Sequence, residues 1–121
     1  MNVAIITGAS VGIGAATAAG FIEQDFQVFN LSRRTFPVPG VINISCDLAS
    51  EDSIAAAVAA IREQVTTPAR VSLIHNACQM RKDTAADCTS ASLSAVMQTN
   101  LIAANSLNRG LMPLLGEGSS I

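Results

Sequence analysis

The chain has 121 residues, of which 50% are hydrophobic and 13% charged, and its formal net charge is −2. This composition suits one domain with one core, and the slight negative charge gives no electrostatic basis for binding nucleic acid. No apolar run reaches the roughly 18 residues of a membrane helix, so we predict no membrane partner. The three cysteines include no C-x-x-C pair, which indicates no metal site and favours a reducing, cytoplasmic location.

Strand and helix signals alternate along the chain, a pattern typical of a parallel sheet covered by helices. We predict strands near 2–7, 27–32, 41–46 and 70–75, and helices near 12–25, 50–66 and 90–115. With right-handed crossovers, the strands are expected in the order 3-2-1-4, in a doubly wound α/β fold with three α/β/α layers. The sequence shows no internal repeat and no linker, so we predict a single domain over 1–121.

The first strand passes into the first helix through a glycine-rich turn at 7–14, which reads TGASVGIG. Glycine lets the backbone adopt positive φ and lets N–H groups approach an anion closely, and the helix start adds a partial positive charge. The turn therefore predicts a pyrophosphate site. A Walker loop is excluded, because the only lysine is Lys82.

The same turn contains a G-x-S-x-G pattern at 8–12, which also occurs at the nucleophile elbow of serine hydrolases. Ser10, Asp47 and His75 follow one another in the chain order of a serine hydrolase catalytic triad. Only seven residues precede this motif, however, whereas an elbow normally follows earlier strands that supply part of the oxyanion hole. Gly14 would also have no role. Hydrolysis through Ser10 is therefore the remote alternative.

Ser32, Arg33 and Arg34 follow the second strand, and Ser32 lies 18 residues after Gly14. Dinucleotide-binding folds place an acid near this point to bind the ribose 2′-hydroxyl. A carboxylate would repel a 2′-phosphate, whereas a serine and one or two guanidinium groups can bind it through charge-assisted hydrogen bonds. The pattern favours NADP(H) over NAD(H). The alternative is a solvated pair of arginines.

The second helix is predicted to begin after Ser50, a residue type that caps helices. Apolar residues at spacings of 4, 3 and 4 form a stripe that should face the sheet: Ile54, Val58, Ile61 and Val65. Asp47 precedes this helix and follows the third strand, at the edge where open α/β sheets bind ligands. The alternative for Asp47 is a cap on the helix.

Two further candidates follow the fourth strand. His75 is the only histidine, and a lone histidine at a strand end is typical of a hydrogen-bonded structural residue. Asn100 lies inside the predicted helix at 90–115. Asparagine is a mediocre helix former, so its presence inside a helix suggests a specific role for the side chain. The alternative for Asn100 is an ordinary polar interior residue.

Four motifs occur together: Thr-Gly-x-x-x-Gly-x-Gly at 7–14, Asp47-Leu48, Asn76-Ala77 and Asn100. In these motifs and their order, the chain resembles the short-chain dehydrogenase/reductase family over all 121 residues. The resemblance implies a Rossmann-type fold and an oxidoreductase that transfers hydride between a nicotinamide cofactor and an alcohol or carbonyl substrate.

The resemblance also implies a role for each matching position. Cofactor contacts are expected from Thr7, Gly8, Ser10, Val11, Gly12, Ile13, Gly14, Ser32, Arg33, Arg34, Asp47, Leu48, Asn76 and Ala77. Asp47 and Leu48 would hold the adenine, and Asn76 and Ala77 would lie beside the ribose and pyrophosphate. Asn100 would be catalytic, through a water that relays protons to the family's lysine.

Two positions depart from the family pattern Asn-Asn-Ala-Gly, because His75 and Cys78 replace its first and last residues. The helix at 90–115 corresponds to one that pairs with its copy in the family, so we expect a homodimer or homotetramer. The family's catalytic Tyr-x-x-x-Lys lies in the second half of its members, and this sequence has no tyrosine. The chain is therefore interpreted as the amino-terminal, cofactor-binding half.

Residues 116–121 resemble a loop and the first residue of a fifth strand. We accordingly expect the fourth strand to be a bare edge, and the chain alone to be poorly soluble and without reductase activity. The competing class is a non-catalytic nucleotide-binding or dimerisation module. A segment containing Tyr-x-x-x-Lys elsewhere in the protein would separate the two classes.

Overall fold

The computed structural model describes residues 1–35 and 38–121. Four parallel strands form one sheet, with β1 at Asn2–Thr7, β2 at Gln27–Ser32, β3 at Val41–Ser45 and β4 at Arg70–Ile74. Their order is β3-β2-β1-β4, as predicted. Because all four strands run parallel, their carboxyl ends lie at the same edge of the sheet.

Side chains that alternate along the strands divide the core into two layers. On one face, Val3 and Ile5 of β1 pack with the helices α2 (Glu51–Gln64) and α4 (Ala103–Leu111). On the other face, Ala4 and Ile6 pack with α1 (Gly12–Ile22). The sheet therefore lies between two helical layers, as expected.

The second helix has the predicted cap and the predicted buried stripe. The backbone N–H of Ser53 donates to Ser50 Oγ at 3.2 Å, which satisfies one of the free donors at the helix start. The four residues of the stripe are all buried: Ile54, Val58, Ile61 and Val65. Burial of each such side chain contributes about 1.5–3 kcal/mol before entropy costs.

The continuous helix predicted at 90–115 is broken in the structure. It consists of α3 (Ser90–Met97), a π-helical segment (Gln98–Ile102), α4 and a 3₁₀ turn (Met112–Leu114). The π-helical segment widens the helix around Asn100, and Pro113 in the 3₁₀ turn lacks the N–H that an α-helix needs. No helix of the described ranges is long and apolar enough to cross a membrane.

The connection from β2 to β3 is unusually short, with the eight residues 33–40 between the two strands. Parallel strands are normally joined by a dozen or more residues, usually including a helix. In the described part of this connection there is no helix, and Gly40 lies close to Ile22 at the end of α1. The described residues 33–35 and 38–40 therefore lie outside any helix or strand, and Gly40 brings the end of this connection close to α1.

The expectation that β4 has a bare outer edge is wrong. The chain after the 3₁₀ turn runs along β4, where Ser120 N donates to Val71 O at 2.9 Å and Leu73 N donates to Ser120 O at 3.0 Å. Parallel bridges join Ser72 to Ser120 and Ala69 to Leu115. These contacts arise because Gly116 N donates to Ala69 O, which brings the chain back beside the strand.

Candidate functional site

The predicted site residues lie together at the carboxyl edge of the sheet. The glycine-rich turn follows β1, residues 32–34 lie at the end of β2, Asp47 follows β3, and Asn76 follows β4. Open α/β sheets bind their ligands at this edge. The topology thus brings segments from four parts of the sequence to one place.

The start of α1 is open to a ligand. Val11 is the N-cap residue, and its side chain forms no capping hydrogen bond; the first turn of the helix contains no acid. Gly12 has φ +58°, and a Cβ at this position would meet nothing within 4 Å. The backbone N–H groups of this first turn are therefore available for an anion, as at phosphate-binding helix starts.

Gly14 is required by close packing. A Cβ at Gly14 would lie 2.3 Å from Gly8 O and 2.6 Å from Asn76 Nδ2, which no side chain tolerates. Asn76 Nδ2 itself donates to Gly8 O at 3.1 Å and to Thr7 O at 3.2 Å. The helix can approach the turn this closely only because residue 14 has no side chain.

Thr7 joins the ends of β1 and β4. Its side chain is 1% exposed, and Thr7 Oγ1 accepts hydrogen bonds from Asn76 N at 3.1 Å and from Ala77 N at 3.0 Å. The hydroxyl therefore holds two backbone groups of the neighbouring strand end. This contact fixes where Asn76 and Ala77 lie relative to the turn.

Asn30, in the middle of β2, is a site residue that the sequence analysis missed. Its side chain is 1% exposed; Oδ1 accepts from Ala9 N at 2.9 Å, and Nδ2 donates to Ser10 Oγ at 3.0 Å. Ser10 Oγ in turn donates to Arg34 O. A signal was present in the sequence, because asparagine is depleted in strands and a buried amide needs partners.

The geometry of Ser10 does not support a nucleophile elbow. Ser10 is 5% exposed, and its hydroxyl proton is directed to Arg34 O rather than to a histidine. His75 Nε2 lies 2.7 Å from Asn108 Oδ1, so the imidazole has a different partner. The hydrogen bond of His75 agrees with the structural role expected for it, although the side chain is exposed.

Asp47 and Leu48 occupy the edge beyond β3. Asp47 is exposed, and its Oδ1 accepts from Ala49 N at 3.0 Å, so the carboxylate stabilises a local turn while Ser50 caps α2. Leu48 is 9% exposed and belongs to the core. Leu48 therefore offers little surface to a ligand.

Asn100 lies in the π-helical segment and is bound to the loop after β4. Its Oδ1 accepts from Gln79 N at 2.6 Å, and its Nδ2 donates to Gln79 O at 2.8 Å. Both ends of the amide thus hold one residue of that loop. Single π-helical turns inside α-helices occur often at functional sites.

The thiols differ in their surroundings. Burial raises the pKa of the Cys46 thiol, whereas Cys78, at the family's glycine position, is exposed. The described residues contain no group of three or more His, Cys, Asp or Glu side chains placed to hold a metal ion.

A parallel sheet in this strand order, with a glycine-rich turn at the start of its first helix, is a Rossmann-type fold. In a comparison with protein families, the family model described as short chain dehydrogenase matches residues 2–120. The chain belongs to the short-chain dehydrogenase family of oxidoreductases. A comparison with the curated proteins gave no significant match.

Solved structures of this family superpose on the chain. A short chain dehydrogenase family protein from Francisella tularensis has a TM-score of 0.88 at 24% identity, covering 100% of this chain and 49% of its own. NADPH-bound carbonyl reductase from chicken fatty liver has a TM-score of 0.82 at 24% identity, with coverages of 93% and 47%. A Brucella ovis oxidoreductase in complex with a partially ordered NAD has a TM-score of 0.78 at 29% identity, with coverages of 92% and 56%. The chain thus spans about half the length of these relatives.

Proposed function

We propose that this chain forms the cofactor-binding half of an NADP(H)-dependent oxidoreductase that acts on an alcohol or carbonyl substrate. The main support for this proposal is the uncapped start of α1, where a Cβ at Gly12 would meet nothing within 4 Å. Two exposed arginines, Arg33 and Arg34, follow the neighbouring end of β2. Together these features offer backbone donors for a pyrophosphate and guanidinium groups for a 2′-phosphate.

Each segment of the edge has a distinct task in this proposal. The N–H groups at 11–14 bind the pyrophosphate, Ser32 and Arg33 bind the 2′-phosphate, and the turn at Asp47 lies against the adenine. The strand end at 76–77 contacts the ribose through its backbone, which Thr7 holds in place. The bound nicotinamide would supply or accept the hydride.

The choice of NADP(H) rests on charge. A 2′-phosphate gains charge-assisted hydrogen bonds from Arg33 and, to a lesser degree, from Arg34, and Ser32 adds no negative charge at the position where an acid would favour NAD(H). The solved relatives include one with NADPH and one with NAD, so the preference has to come from these residues.

Titration of the protein with NADPH and with NADH tests this choice. We expect NADPH to bind more tightly, and Ser32→Asp to shift the preference toward NADH by about 1–3 kcal/mol, the scale of a charged hydrogen bond. Arg33→Gln should weaken NADPH alone, whereas Arg62→Gln, which removes the same charge from the exposed side of α2, should leave both affinities unchanged. Tighter binding of NADH by the unmodified protein would refute the assignment.

We further propose that the protein is a homodimer or homotetramer. Four exposed apolar side chains lie along α3 and the π-helical segment: Leu93, Met97, Leu101 and Ile102. Such a row on the outer surface of a helix is typical of an interface. The cytoplasmic location stays a proposal that rests on the unpaired cysteines.

A further inference from the structure

Asn30 lies at the centre of a hydrogen-bond network that joins three segments of the site. Side chains alternate along β2, so Asn30 shares the α1 face with Val28 while Phe29 and Leu31 face α2 and α4. Its Oδ1 binds the turn at Ala9 N, and its Nδ2 binds Ser10 Oγ and, at 2.9 Å, Asn43 Oδ1. Asn30 thus connects the glycine-rich turn to β3.

The orientation of the Asn30 amide is set by a backbone group. Because Ala9 N–H can only donate, it requires the carbonyl oxygen of the amide, and the NH₂ group must then face Ser10 and Asn43. Ser10 Oγ consequently accepts a hydrogen bond from Asn30. Its single proton is left free to be donated to Arg34 O.

The bond from Ser10 to Arg34 O acts on a segment with little regular structure of its own. Residues 33–35 follow the last residue of β2 and belong to no strand or helix. Because this segment lacks the hydrogen bonds of a strand or helix, side-chain contacts largely determine the position of the main chain at Arg33 and Arg34. An anchor at the carbonyl of Arg34 constrains where both side chains leave the backbone.

We propose that Asn30 is a positioning residue for the discrimination of the 2′-phosphate. Through Ser10 it fixes the main chain of Arg34, and thereby directs the guanidinium groups at 33 and 34 toward the phosphate. The inference rests on the proposed binding of NADP(H), and adds to it a buried residue that does not touch the cofactor.

The test compares two ligands that differ only in the 2′-phosphate, namely 2′,5′-ADP and 5′-AMP. Binding to the protein is measured by calorimetry, and the ratio of the two dissociation constants reports the discrimination. Asn30→Asp keeps the size of the side chain and the acceptor for Ala9 N, but it has no donor for Ser10, whose proton then turns to the new carboxylate. We expect the ratio to fall about tenfold, the effect of losing one charged hydrogen bond.

Ser10→Ala is the second variant, because it removes the same anchor without adding a buried charge. Ser10→Ala should also lower the ratio. The unfolding temperature of each variant shows whether it folds, and Ser10→Ala still tests the anchor if Asn30→Asp does not fold. Asn43→Ala is the matched control: it removes another partner of Asn30 but leaves the bond to Ser10 in place, so the ratio should not change.

A double variant distinguishes positioning from a general loss of structure. In an Arg33→Gln, Arg34→Gln background, Asn30→Asp should have no further effect on the ratio, because the groups that it positions are gone. An unchanged ratio in the folded single variants, or an equal loss of affinity for both ligands, would overturn the inference. If the unmodified protein does not prefer 2′,5′-ADP, the proposed choice of NADP(H) fails, and this inference fails with it.

Discussion

Thr7, Asn76 and Ser10 direct their side-chain hydrogen bonds mainly at neighbouring backbone. Thr7 Oγ1 accepts from two N–H groups, Asn76 Nδ2 donates to two carbonyl groups, and Ser10 donates to a third. The site is therefore preorganised before any ligand binds, and the backbone N–H groups at the start of α1 remain for the ligand. The contacts of Thr7 and the packing of Gly14 can therefore each be probed by a single substitution.

Thr7→Val should destabilise the protein by about 1–3 kcal/mol, because the isosteric side chain leaves the N–H groups of Asn76 and Ala77 without their acceptor. Urea unfolding measures the change. Thr17→Val removes a hydroxyl that donates to Ile13 O on the exposed side of α1, and it should have little effect. Equal losses for the two variants would show that the Thr7 contacts contribute nothing particular.

Gly14→Ala should abolish nucleotide binding and lower the unfolding temperature, because its Cβ would overlap Gly8 O. Gly20 is a control in the same helix, since a Cβ there would meet nothing within 4 Å. Gly20→Ala should stabilise the protein by about 0.5–1 kcal/mol through helix propensity. A Gly14→Ala protein that binds nucleotide normally would contradict the close packing described for the turn.

The broken helix between residues 90 and 114 shows where prediction from sequence reaches its limit. Local patterns correctly placed the strands and the cap of α2, because apolar runs and capping residues act over a few positions. The π-helical segment depends instead on Gln98 and Asn100, which bind Glu51 and Gln79 from other elements. Likewise, Thr7 and Asn76 were located by their motifs, but their hydrogen bond spans 69 positions, so their roles could not be read locally.

Glu51 connects α2 to the broken helix and gives a pH-dependent prediction. Its Oε1 accepts from Gln98 Nε2 at 2.9 Å and from Ser106 Oγ at 3.0 Å, and these hydrogen bonds lower the pKa of Glu51 below its ordinary 4.5. A lowered pKa in the folded state means that the contribution to stability is present above about pH 4.5 and is lost as the pH falls through the folded-state pKa.

Glu51→Gln should therefore show a smaller loss of stability than the unmodified protein between about pH 5 and pH 3, measured as urea midpoints. Asp52→Asn, which neutralises the neighbouring acid in the first turn of α2, serves as the control and should follow the unmodified protein more closely. Parallel pH curves for Glu51→Gln and the unmodified protein would count against the link between α2 and the π-helical segment.

The architecture of the sheet was predictable because every strand carries its own signal in the sequence. The strand order follows from right-handed crossovers within the doubly wound α/β pattern, and the structure confirms it. The edge of β4 was predicted wrongly, because the segment at 116–121, interpreted as only the beginning of a fifth strand, already pairs with β4 through the backbone of Ser120 and through Ser119 Oγ, which accepts from Val71 N. Among the exposed apolar side chains of the described surface, those on α3 and the π-helical segment form one row.

Replacing this row should change the oligomeric state. We expect Met97→Glu combined with Leu101→Glu to convert the protein to monomers, because burial of four carboxylates in a dimer interface is costly. Light scattering after size exclusion measures the mass. Met80→Glu, at an 86% exposed side chain outside the helices, should leave the mass unchanged. A Met97→Glu, Leu101→Glu protein of unaltered mass would place the interface elsewhere.

The short connection between β2 and β3 has a consequence for the order in which the sheet folds. Asn30 and Asn43 pair across only 13 positions, whereas Thr7 and Asn76 meet across 69, so the loop-closure cost differs by about 1.5 kcal/mol. We expect β2 and β3 to pair before β4 joins β1, which pulsed hydrogen exchange during refolding can follow through the amides of each pair. The loop carrying Arg33 and Arg34 would then be among the first parts of the carboxyl edge of the sheet to form.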